Sequence, residues 1–90
     1  MSSASRTLAL ANKRGLHARA SAKFVTLAAS QPVAILVERD GSQVCGTSIM
    51  GLMMLGAACG DTITISAEGD GAEDAVAALC RLIEDKFGED

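Results

Sequence analysis

Asp61-Thr62-Ile63-Thr64-Ile65-Ser66 is followed, after a short link, by Asp70-Gly71-Ala72-Glu73 and then by apolar residues at Ala75, Val76, Leu79, Cys80 and Ile83. In the first segment apolar and polar side chains alternate with period two, which gives a strand one apolar face. In the second the spacing lengthens to that of a helix with a single apolar stripe. Asp70 and Glu73 stand at the spacing of a capping box, with Asp70 as cap and Glu73 reaching back, and Gly88 is placed to stop the helix. A half-buried strand handing over to an amphipathic helix predicts an α+β protein in which helices cover one face of a sheet.

Working outward, Val33 to Glu38 is an apolar, β-branched run followed by Asp40-Gly41 and then Ser42 to Cys45. Asp-Gly favours a two-residue hairpin turn because both central residues need positive φ. Upstream, Ala18, Ala22, Val25 and Ala29 recur at helical spacing, with Phe24 and Ala28 widening the stripe and Pro32 following its end. Thr7 to Ala11 alternates weakly and reads as a first strand, closed by the polar turn Asn12-Lys13-Arg14-Gly15. Between the hairpin and Asp61, Thr47 or Ser48 caps a short helix over Ile49 to Leu55. The predicted order is β-α-β-β-α-β-α.

Ninety residues suffice for one domain, 1–90, since a chain this short buries only about 60% of its unfolded surface and cannot support a second core. Any site must therefore be shallow. Hydrophobic residues make up 49% of the chain but only Phe24 and Phe87 are aromatic, which argues against a base-stacking nucleic-acid platform. No apolar run approaches the ~20 residues that span a bilayer. Cys45, Cys59 and Cys80 show neither zinc nor disulfide-framework spacing and read as small core hydrophobes in a reducing cytoplasm. No metal or other cofactor is expected. The acid-free first third superficially resembles a transit peptide, but its removal would leave too little chain to fold.

That third carries Arg6, Lys13, Arg14, Arg19 and Lys23, whereas every acidic residue lies from Glu38 onward. Its one specific feature is His17, the only histidine, set between Gly15-Leu16 and the start of a helix at Ala18. A helix start presents backbone N–H groups without partners and about half a positive charge, a ready anion site. Arg19, two residues on, can bring a guanidinium that grips a phosphoryl group bidentately. The same positive field disfavours the imidazolium, and a neutral ring nitrogen can act as a nucleophile. Gly15 would let the turn expose the ring. No second titratable group in the motif could act as a base, and no acidic cluster could hold magnesium. Phosphoryl transfer needs positioning and charge neutralisation more than proton transfer, so the motif suits a carrier better than an enzyme.

Ser48-Ile49-Met50-Gly51-Leu52-Met53-Met54-Leu55 holds three of the four methionines in a segment apolar on nearly every side. Core packing accounts for one face only. Ile49, Leu52 and Met53 share a face by spacing and form a candidate docking patch, for which adaptable methionine is well suited. Ser48 reads either as a simple helix cap or as a regulatory residue.

Gly15-Leu16-His17-Ala18-Arg19 resembles the active-site signature of HPr, the histidine-containing phosphocarrier family of the phosphoenolpyruvate-dependent phosphotransferase system. Ser48-Ile49-Met50-Gly51-Leu52-Met53 is similar to that family's second signature, around its regulatory serine, and the likeness extends over essentially the whole chain. The resemblance implies an open-faced β-sandwich, a four-stranded antiparallel sheet with three helices on one side. It implies that His17 takes phosphate at Nδ1 from phospho-Enzyme I and hands it to a histidine of an A-type phosphotransferase domain. Ile49, Leu52 and Met53 would then dock partners beside His17, a serine kinase or phosphatase would act on Ser48, and the carrier would be a cytoplasmic monomer serving sugar uptake or its regulation. Ala20 departs from the family's usual proline, which would loosen the helix start, and Thr47 from its frequent lysine.

Other classes fit less well. A ferredoxin-like metal module would need paired cysteines near the first loop, and an acylphosphatase-like enzyme an Arg–Asn pair where the only asparagine is Asn12. A nitrogen-branch regulatory phosphocarrier shares the same histidine chemistry and stands as the alternative.

Overall fold

A computed structural model describes residues 2–89. Along the chain run β1 (Ser3–Ala9), α1 (Ala18–Ala29), β2 (Ile35–Arg39), β3 (Ser42–Cys45), α2 (Ile49–Met54), β4 (Thr62–Glu68), α3 (Ala72–Glu84) and a terminal 3₁₀ turn (Lys86–Gly88). The strands form one antiparallel sheet in the order β1-β4-β2-β3. The expected open-faced arrangement, a four-stranded sheet with three helices, is what forms.

The alternation in β4 decides which face is covered. Ile63, Ile65 and Ala67 are buried, and their register partners Val37 and Ile35 in β2 continue the same face. Thr62, Thr64 and Ser66 turn outward, where Thr64 Oγ1 meets Thr7 Oγ1 at 2.8 Å. Over the apolar face α3 lays Ala75, Val76, Leu79, Cys80 and Ile83, as its stripe requires, and α1 adds Ala20, Phe24 and Ala28. The Asp40-Gly41 hairpin has φ of 51° and 82°, both positive as its type demands.

Several boundaries fall elsewhere than local pattern suggests. The first strand runs Ser3–Ala9 instead of Thr7 to Ala11, because β4 supplies a pairing partner for every residue from Ser3↔Glu68 to Ala9↔Thr62. An edge strand whose residues mostly face water carries little hydrophobic pattern. β2 starts at Ile35, two residues later than Val33, and α2 ends at Met54. The expected Asp70 capping box is not formed. The N-cap of α3 is Gly71, at φ 89° with no side-chain bond, because the link from β4 turns through left-handed Gly69 and Gly71. Glu73 and Asp74 still complement the helix dipole from its first turn.

Gly88 does not stop α3. The helix ends at Glu84, and Lys86 and Phe87 then take φ of 56° and 55°, reversing the chain so that Phe87 enters the core. Left-handed backbone is unfavourable for a bulky residue, and burial of a whole aromatic ring offsets it. Of the cysteines only Cys80 is a core residue, its thiol pushed up by burial; Cys45 and Cys59 are exposed. Among the described residues no helix is long and apolar enough to cross a membrane.

Candidate functional site

The turn from Asn12 to His17 is held at both ends. Gly15 N–H bonds Asn12 O at 3.2 Å and Leu16 N–H bonds Ala57 O at 3.0 Å, while the Leu16 side chain is buried. Gly15 sits at φ 62°, and a Cβ there would lie 2.3 Å from Ala57 O and 2.7 Å from Ala58 Cα. Glycine is therefore demanded by close backbone approach as well as by φ. Its expected role in exposing the ring is indirect: it lets the turn press onto the 57–58 backbone and so fixes where His17 stands.

His17 is the N-cap of α1, with extended backbone (φ −74°, ψ 178°) and no side-chain cap bond, and its carbonyl accepts the first helical bond from Ser21 N–H at 2.9 Å. Among the described residues the first N–H groups of α1 thus lack an intrahelical or side-chain acceptor, the condition on which the expectation of an anion site here depends. Ala18 is exposed there, and Ala20 is fully buried as the third helical residue. The helix begins at Ala18 without proline.

The imidazole itself is not open to solvent on all sides. Its side chain is 13% exposed, and Nε2 lies 2.6 Å from Glu89 Oε2. The other carboxylate oxygen, Oε1, accepts from Asn12 Nδ2 at 3.1 Å, and the same amide nitrogen donates to Gly15 O at 2.8 Å. Lys23 Nζ donates to Phe87 O at 2.6 Å and so ties the terminal turn to α1. The bond from Asn12 first, then the His17 hydrogen bond and the charges of His17 and Lys23, hold the Glu89 carboxyl below the usual carboxylate range against the opposing effect of burial. His17 Nδ1 has no hydrogen-bond partner among the described residues. Neither Glu89 nor the role of Asn12 is visible in the motif, and to the positive field expected at the helix start the structure adds a carboxylate at Nε2.

Arg19 is exposed and makes no hydrogen bond or ion pair among the described residues, so the structure leaves it next to His17 in sequence without fixing it there. It lines a shallow groove with Ala22, Lys23 and Thr26 on the same helix.

Ser48 is the N-cap of α2, its Oγ accepting from Gly51 N–H at 3.0 Å. Gly51 packs so closely on Val44 that an added Cβ would sit 3.0 Å from its Cβ. This contact sets the rotation of α2, and it corrects the expected docking face. Leu52 is 0% exposed and belongs to the core, whereas Met50 (74%) and Met54 (81%) stand out in solvent with Ile49 (41%) and Met53 (44%). The exposed apolar patch is Ile49, Met50, Met53 and Met54, on a helix packed against α1.

Comparison with known proteins gives a consistent picture. The family model described as the phosphorylation site of the PTS HPr component matches residues 4–85. The chain is 45% identical over 84 residues to the phosphocarrier protein HPr of Cupriavidus necator, covering 93% of this chain and 94% of that one. It is 36% identical over 89 residues to the phosphocarrier protein NPr of Shewanella violacea, covering 99% and 98%. The crystal structure of HPr-C-His from Thermoanaerobacter tengcongensis superposes with a TM-score of 0.92 at 47% identity, over 97% of this chain and 98% of that one.

Proposed function

The chain belongs to the HPr phosphocarrier family of the phosphotransferase system, and from that premise we propose that it accepts a phosphoryl group on His17 from an Enzyme I-type donor and passes it to a histidine of an A-type phosphotransferase domain. The observation that carries this reading is the placement of His17 at the uncapped N-terminus of α1, with Nδ1 free of any partner among the described residues. The helix N–H groups receive the phosphoryl oxygens. Arg19, exposed on the same turn and without a partner among the described residues, neutralises their charge from the solvent side. The carrier works as one domain, 1–90, as a cytoplasmic monomer, and it contributes a nucleophile while its partners supply the rest of the transfer site. The exposed side chains of α2 dock those partners, and Ser48, at the edge of that patch, is the place where added phosphate would oppose docking.

The test is incubation of the full chain with phosphoenolpyruvate and Enzyme I, followed by intact mass. One acid-labile phosphoryl group should be gained by the wild type and not by His17→Ala. Gain by the variant would refute the assignment.

A second reading differs only in destination. The chain is similar to an NPr over nearly its whole length as well as, at higher identity, to HPr proteins, and the nitrogen-branch carrier is the alternative. Parallel phosphorylation by a sugar-branch and a nitrogen-branch Enzyme I separates the two by rate.

A further inference from the structure

We propose that Glu89 is a positioning residue that holds His17 in the one tautomer able to attack through Nδ1. The inference rests on the reading of His17 as phosphoryl acceptor and starts from the 2.6 Å contact between His17 Nε2 and Glu89 Oε2. An ionised carboxylate can only accept, so the proton between them belongs to Nε2. In a neutral imidazole one nitrogen carries the proton and the other the lone pair; with Nε2 protonated, the lone pair is on Nδ1. Asn12 keeps the carboxylate in place. Its buried amide nitrogen faces two acceptors, Glu89 Oε1 at 3.1 Å and Gly15 O at 2.8 Å, and turning the amide over would set an oxygen against both. The amide keeps this orientation although its own Oδ1 is buried without a partner among the described residues. The chain Gly15–Asn12–Glu89–His17 therefore links the turn that places the ring to the group that decides which nitrogen reacts.

The contact also matters during transfer. As the Nδ1 lone pair forms a bond to phosphorus, the bond from phosphorus to the donor breaks and its electron pair leaves with the donor. The ring keeps its Nε2 proton and gains a positive charge, which the Glu89 carboxylate faces directly. Onward transfer reverses these changes: the N–P bond breaks, its pair returns to Nδ1, and the ring is neutral again.

Nitrogen-15 NMR of the labelled full chain, at a pH well above the ordinary histidine value of ~6.5, reads the tautomer without any phosphorylation. The wild type should show a protonated, pyrrole-type Nε2 and a pyridine-type Nδ1. Glu89→Ala should shift both signals toward a mixture, and single-turnover transfer from Enzyme I should slow about three- to tenfold, the range for loss of a half-buried, charge-assisted contact. Glu89→Gln is the sharper variant. Asn12 Nδ2 requires the new amide's oxygen, so its NH2 group faces His17 and draws the ring proton to Nδ1; this variant should show the reversed signature and transfer more slowly than Glu89→Ala. Glu89→Asp should restore part of both readouts. Unchanged ring signals in Glu89→Ala and Glu89→Gln, or altered signals with unchanged transfer, would overturn the proposal. Phosphorylation persisting in His17→Ala would instead defeat the acceptor reading beneath it, while the ring signals would still report on Glu89.

Discussion

Gly15→Ala tests whether the turn before His17 is held by shape. Two costs can be separated. The first is conformational: a residue with a Cβ at φ near +60° is strained by about 1 kcal/mol or somewhat more. The second is steric, because the new Cβ would lie 2.3 Å from Ala57 O and 2.7 Å from Ala58 Cα, both backbone, so the turn must move away. Moving it breaks the 3.0 Å bond from Leu16 N–H to Ala57 O and loosens the buried Leu16 side chain. A lost hydrogen bond of about 1 kcal/mol and overpacking of about 1–3 kcal/mol bring the total to roughly 3–5 kcal/mol. Gly56 is a matched control, with φ of 64° against 62° at Gly15 but nothing within 4 Å of its added Cβ. Gly56→Ala should therefore cost only the conformational share. For a chain of this size about 1 kcal/mol lowers Tm by roughly 4–8 °C. Thermal unfolding should place Gly56→Ala about 5 °C below the wild type and Gly15→Ala at least about 12 °C below it. Transfer to His17, measured where both variants are folded, should fall only in Gly15→Ala. Equal melting temperatures for the two variants would show that the turn has room to give, and the close-approach argument would fail.

Leu52→Ala should cost about 2–5 kcal/mol by denaturant unfolding, as for a fully buried leucine, whereas Met54→Ala should change stability by less than about 0.5 kcal/mol and slow transfer through poorer docking. The opposite ranking would restore Leu52 to the docking surface. Ser48→Ala should lose about 1 kcal/mol with its cap bond, while Ser48→Asp should hold or raise Tm and slow transfer from Enzyme I; equal transfer in Ser48→Asp and wild type would leave the serine a cap only. Glu89 is held below the ordinary glutamate value, so its contribution is fully present above about pH 4.3 and is lost as pH falls through the lower folded value. The Tm gap between wild type and Glu89→Ala should close on acidification, and a gap that widened in acid would contradict the sign of the shift.

Much of this protein follows from local physics that the amino-acid sequence carries on its own. Alternation over Asp61 to Ser66 marks the apolar face of the sheet, the Asp40-Gly41 pair makes a hairpin turn, and the stripe from Ala75 to Ile83 selects the buried side of α3; period and backbone preference act within a few residues of each other. The placement of His17 at a helix start belongs to the same class, as does the Ser48 cap. Tertiary structure alone decided the remainder. β1 begins at Ser3 because β4 offers hydrogen bonds to a polar edge, and Gly71 displaces Asp70 as cap because the link from β4 must turn left-handed. Leu52 faces inward and Met50 outward because Gly51 seats α2 on Val44, a contact that helical spacing cannot register. Glu89 reaches His17 across 72 positions of sequence because Phe87 folds the chain's last turn into the core and Lys23 ties it there. Spacing predicts which residues of one element share a face, but the rotation of that element and the arrival of a distant carboxylate depend on packing between elements, which has no short-range signature.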